Sequence, residues 1–103
     1  MRPRTVTLSS TGTSEWIPVN YALSAFNVGV HIVPSNGASV VWSVQVTNDD
    51  PFTVLIPSPF EAPEPINTGT TFQMGNITTP CRAIRLAATI ASGTVTMTVV
   101  QGR

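Results

Sequence analysis

Lysine is absent from this 103-residue chain, and charge of either sign is scarce: five arginines balance five acids, 10% of the residues, for a formal net charge of zero. Soluble domains carry about 25% charged residues, so much of this surface must be neutral. A protein that bound nucleic acid by neutralising phosphates would be distinctly basic, and the balance argues against that class. The single cysteine, Cys81, cannot close an internal disulfide, which argues against an oxidised secreted scaffold. His31 is the lone histidine and lies far from Cys81 in sequence, so a zinc site within one chain would have to recruit carboxylates. No run is long and apolar enough to span a bilayer, so no membrane contact is expected. Met1-Arg2-Pro3-Arg4 leads into polar alternation where a secretory signal would have an apolar core, so synthesis in the cytoplasm is expected.

Catalytic signatures are missing as well. There is no GxSxG elbow, no GxGxxG and no Walker-type loop, and His31 has no acid at a spacing that marks a triad. Asp49 and Asp50 are the only adjacent acids. They offer too few oxygen ligands for a calcium loop and do not sit at the separate positions a glycosidase pair requires, and Pro51 after them reads as a strand end and turn. The expectation is a protein with no enzymatic activity, no cofactor and no metal.

What the chain does have is alternation. Phe26, Val28, Val30 and Ile32 share one parity while Asn27, Gly29 and His31 take the other, the period of a half-buried strand. Pro34-Ser35-Asn36-Gly37 supplies a turn, and the return run places Val40, Trp42, Val44 and Val46 on one face. These two runs predict a hairpin. A second hairpin is predicted from Cys81 to Ile90 through Ala91-Ser92-Gly93 into Val95, Met97 and Val99, whose other face is threonine. Thr5 to Leu8 and Thr70 to Met74 add shorter runs, and no stretch carries a helical stripe. Between the hairpins, Pro57, Pro59, Pro63 and Pro65 crowd the span 57–67 and rule out a central strand there. The sum is one domain over 1–103 with a short arm over 1–5, a proline-rich loop over 57–67, and about six to eight short strands. That is an all-β chain, an antiparallel β-sandwich or jelly roll.

The lead-in Trp16-Ile17-Pro18-Val19-Asn20-Tyr21, then Ala25-Phe26-Asn27-Val28-Gly29-Val30, then Val40 to Thr47 followed by Asn48-Asp49-Asp50-Pro51, resembles small virion proteins of tailed bacteriophages. The run Pro80 to Val100, with Arg82-Ala83-Ile84-Arg85-Leu86 and Ser92-Gly93-Thr94-Val95, continues the same pattern. The resemblance implies a β-sandwich or jelly roll and, best among such roles, capsid decoration as a cement protein on the outer shell. It implies the major capsid protein as partner, a homo-oligomer such as a dimer or trimer, and the capsid surface of the virion as location. The chain departs from the pattern between Phe52 and Met74.

The residues themselves point to surfaces rather than chemistry. Arg2 and Arg4 sit on the N-terminal arm, where guanidinium can pair with acidic groups of a partner. Phe60 and Ile66 lie in the proline span as apolar groups with no predicted strand to bury them. These four are the first docking candidates. Trp16 and Tyr21 come second, and with Trp42 they also raise a glycan platform, although the parity of Trp42 favours the core. A tail, neck or fibre component and a carbohydrate-binding module therefore stay open beside decoration.

Overall fold

Alternation of branched apolar and small polar residues gives a chain that is buried on one side and wet on the other, and it leaves the backbone no local partner except a neighbouring strand. The computed structural model describes residues 3–20, 26–49, 59–62 and 66–101. Nine strands run through them: β1 (Arg4–Leu8), β2 (Gly12–Thr13), β3 (Ile17–Pro18), β4 (Val28–Pro34), β5 (Ser39–Thr47), β6 (Phe60–Glu61), β7 (Gln73–Ile77), β8 (Ala83–Ser92) and β9 (Val95–Gln101). No helix occurs among the described residues.

The strands form two packed antiparallel sheets, one ordered β1-β9-β4-β7 and the other β2-β8-β5-β6 with β3 also on β8. With β3 set aside, the pairing is nested. The first strand pairs with the last, the second with the next to last, and so inward to β5 with β6. The doubled ribbon then folds so that β9 also meets β4 and β8 also meets β5. This nesting is the jelly-roll topology, a double-sheet all-β solution. The expected all-β sandwich is the fold observed.

Neither predicted hairpin is one. β4 pairs with β7 and β9 in one sheet, whereas β5 pairs with β6 and β8 in the other. β8 and β9 are likewise divided between the sheets. The predicted turns are real, but they are arches that carry the chain from sheet to sheet. The two arches lie side by side: Ser35 N–H donates to Thr94 O at 2.8 Å, and Thr94 N–H donates to Ser35 Oγ at 3.0 Å. Gly93 is required there twice over. Its φ is +84°, and a Cβ would stand 2.5 Å from the Ala38 Cβ.

The core lies between the sheets. Val28, Val30 and Ile32 of β4 and Val95, Met97 and Val99 of β9 are fully buried against Trp42 and Val44 of β5 and Ile84 and Leu86 of β8. Each such side chain contributes about 1.5–3 kcal/mol relative to exposure. Trp42 is held by the segment after the proline span: its N–H and C=O bond Gly69 at 2.9 Å each, its indole Nε1 donates to Thr71 O at 3.0 Å, and Thr68 Oγ1 donates to its carbonyl at 3.0 Å. Strand β7 starts at Gln73, later than the expected run from Thr70, and Thr71 belongs instead to this clasp. Gln101, 3% exposed, has its amide satisfied at both ends by the Asn20 backbone, at 2.7 and 2.8 Å.

The stretch that runs along β8 is broken once. Thr13 faces Ala87 but Ile17 faces Ile84, so one extra residue is accommodated between β2 and β3 as a bulge. Side chains bridge where the ladder is irregular: Leu86 N–H donates to Ser14 Oγ at 2.9 Å and Ile90 N–H to Thr11 Oγ1 at 2.9 Å. The arm expected over 1–5 is a strand at Arg4 and Thr5, which pair with Val99 and Thr98.

Candidate protein-docking surface

The outward face of the four-stranded sheet is built from whichever parity the core does not take. From β1 it receives Thr5 and Thr7, and from β9 Thr96, Thr98 and Val100. From β4 come Gly29, His31 and Val33, and from β7 Met74 and Asn76. Register aligns them into rows: Thr5, Thr98, His31 and Met74 cross the sheet side by side, and Thr7, Thr96 and Val33 form the next row. Thr5 and Thr98 hydroxyls meet at 3.3 Å and Thr7 and Thr96 at 3.0 Å, which fixes their rotamers. Among the described residues no Asp, Glu, Arg or Lys lies on this face, and His31 is its one titratable side chain. Val33 and Met74 stand 47% and 50% exposed on it. Such a plane can dock without stripping water from a charge.

The opposite sheet presents a different row. Trp16 lies beside Arg85, whose guanidinium carbon sits 4.4 Å above the indole centroid. Arg85 Nε donates to Gln45 Oε1 at 2.7 Å, and Glu61 follows on β6 opposite Gln45. Desolvation lowers the Arg85 pKa, yet a guanidinium remains protonated in proteins. The contact is a cation–π stack and covers one face of Trp16.

Phe60 is 60% exposed at the rim, beside a recess of about 310 Å³ that reaches Val46, Ile77, Pro80 and Cys81. Burial pushes the Cys81 thiol up to about 11, so it stays protonated and unreactive at neutral pH. Phe72 is 52% exposed near the start of β7.

The sequence candidates are dispersed over this surface rather than gathered. Arg4 is exposed at the start of β1, Phe60 is exposed on the two-residue β6, and Trp16 is half-buried under Arg85. Ile66 needs correction as a docking residue: it is 0% exposed and belongs to the core, because the chain returning from the proline span drops it between the sheets. Arg2 and Tyr21 lie outside the described residues, as do 57–58 and 63–65 of the proline loop. Of the rings expected to form a glycan platform, Trp42 is 1% exposed and Trp16 has one face covered by Arg85. A neutral, threonine-rich surface was legible in the sequence, but not its gathering onto the one sheet that joins β1, β9, β4 and β7. Among the described residues no group of three or more His, Cys, Asp or Glu is placed to hold a metal ion.

No family model and no curated protein sequence matches the chain. Among solved structures it is similar to part of IMPa from Pseudomonas aeruginosa, determined in complex with an O-glycopeptide, at a TM-score of 0.47 and 12% sequence identity, covering 97% of this chain and 12% of that one. The chain thus spans a small fraction of that protein, and a likeness at this level carries no argument about function.

Proposed function

We propose that this chain is a structural virion protein of a tailed bacteriophage that binds the outer capsid surface and stabilises the shell as a decoration or cement protein. The observation that carries the reading is the outward face of β1, β9, β4 and β7, a plane of hydroxyls and exposed apolar side chains with no Asp, Glu, Arg or Lys among the described residues and His31 as its one titratable side chain. A plane of that kind suits a large protein surface better than a small ligand, which would want a concave, enclosing site.

The mechanism is linkage. A protein that binds the assembled lattice and not its separated subunits stabilises the lattice in proportion to occupancy. A shell repeats one target many times, so a weak contact becomes strong when one decorating unit touches two subunits at once. The resemblance of Trp16 to Val30 and Pro80 to Val100 to phage virion proteins supports the same assignment.

The test is the copy number of this protein in purified virions, by quantitative mass spectrometry normalised to the major capsid protein. A ratio that is a simple fraction of the lattice is the expected result. A few copies per particle would move the protein to the tail or neck, and its absence from virions would overturn the proposal.

A further inference from the structure

A β-sheet has two edges where backbone N–H and C=O groups lack partners, and folded proteins protect them with short strands, bulges, prolines or charges. Two of the four edges here are protected in that way. β6 is two residues long, and β2 and β3 are split by the bulge and include Pro18. The other two, β7 and β1, are five residues of regular register each, and β1 carries a single charge, Arg4, at one end.

The direction of its free groups can be worked out. Ser35 N–H donates to Thr94 O, so Thr94 turns its backbone toward β4. Antiparallel bonding alternates along a strand, so Thr96 and Thr98 also bond β4, while Val95, Met97 and Val99 bond β1. Their partners Leu8, Val6 and Arg4 therefore turn inward to β9. Thr5 and Thr7 direct N–H and C=O outward, and among the described residues nothing pairs with them there.

We propose that β1 is a self-association edge, through which two copies of this chain pair antiparallel about a two-fold axis at Val6. The edge is self-complementary in that register. Thr5 of one copy exchanges both backbone bonds with Thr7 of the other, and the same exchange recurs across the axis. Val6 meets Val6 as a close non-hydrogen-bonded pair, and Arg4 faces Leu8, so no like charges oppose. Val6 and Leu8 are only half-buried in one copy, and the second copy covers them. A net charge of zero adds no long-range repulsion to the encounter. The pairing joins two four-stranded sheets into one and makes their neutral faces continuous. A closed, isologous contact of this kind ends at the dimer. It stands independently of the shell binding proposed above, since it concerns the isolated protein in solution.

Val6→Cys tests the register, because the two introduced thiols meet on the axis, whereas those of Thr5→Cys lie too far apart for a disulfide. Oxidation is expected to convert Val6→Cys to a covalent dimer on a non-reducing gel and to leave Thr5→Cys and the wild type, with its buried Cys81, uncrosslinked. Sedimentation equilibrium of the wild type should report a dimer, and Thr5→Pro, which removes the outward N–H from each copy, should weaken it at least ~10-fold. Thermal unfolding of Thr5→Pro checks that the fold survives, and if it does not, the cysteine pair decides alone. A wild type that stays monomeric up to about 1 mM with no Val6→Cys dimer would overturn the proposal. So would a dimer that crosslinks equally well through Thr5→Cys.

Discussion

Gly69 has no side chain because the Trp42 indole occupies the place where one would be. A Cβ there would stand 2.6 Å from the ring, and the neighbouring bonds from Thr68 and Thr71 leave the ring little freedom to withdraw. Gly69→Ala is expected to cost about 1–3 kcal/mol in urea unfolding, the usual cost of overpacking, and to shift the tryptophan emission as the clasp opens. Cys81 makes a prediction of opposite character. Its thiol titrates near 11 when folded, above the unfolded value, so between pH 9 and 11 the native state holds a proton that the unfolded state has released. Stability is therefore full below about pH 9 and falls by roughly 2–3 kcal/mol as pH rises through 11. Denaturant titrations at stepped pH measure the slope, and Cys81→Ala should remove that part of it. At this scale the sequence was informative for residues inside strands and misleading outside them. Parity placed Val30, Trp42 and Met97 correctly in the core, but Ile66 has no strand of its own, and its burial depends on where a distant return segment lands.

Strands were legible and their partners were not. An apolar stripe on each of two runs joined by a turn describes a hairpin and an arch equally well, since both bury one parity. The choice between them is made by β9 and β8, which lie far along the chain and pair with β4 and β5 in different sheets. The arches depend on each other at their corners, where Ser35 and Thr94 exchange bonds and Gly93 fits against Ala38. Gly93→Ala meets both a positive φ and a close backbone approach, so a loss of more than about 2 kcal/mol is expected, read as a lower midpoint in thermal or urea unfolding. Asn36 or Ala91, exposed beside the same corners, would tolerate substitution with a change within about 0.5 kcal/mol, which makes either a fair control.

For the whole molecule, the neutral plane is the feature that function would use, and it is tested by spoiling its neutrality. Thr98 lies near the middle of the face, between Thr5 and His31. Thr98→Glu would put one carboxylate there. The expected outcome is loss of binding to purified capsids by at least ~10-fold, since docking would bury an unpaired charge, with the unfolding midpoint little changed. Retention of binding would move the docking surface to the Phe60 rim. The neutrality of this site was readable beforehand and its extent was not. Threonine on the outward parity reads as ordinary solvent-facing strand, and only the sheet order shows that several such strands sit side by side, with no charged side chain on that parity among the described residues.

The nested pairing also sets how the chain can come together in time. Arg4 finds its partner at Val99, so the edge strand made first waits for the strand made last. Every closure of the nest joins residues distant in sequence, which places this fold among slow, high-contact-order β topologies that take milliseconds to seconds. During synthesis β1 must remain unpaired until β9 has emerged, exposing its threonine edge all the while. Under the β1 pairing proposed above, two copies would join whole sheets only after each chain has closed β9 onto β1.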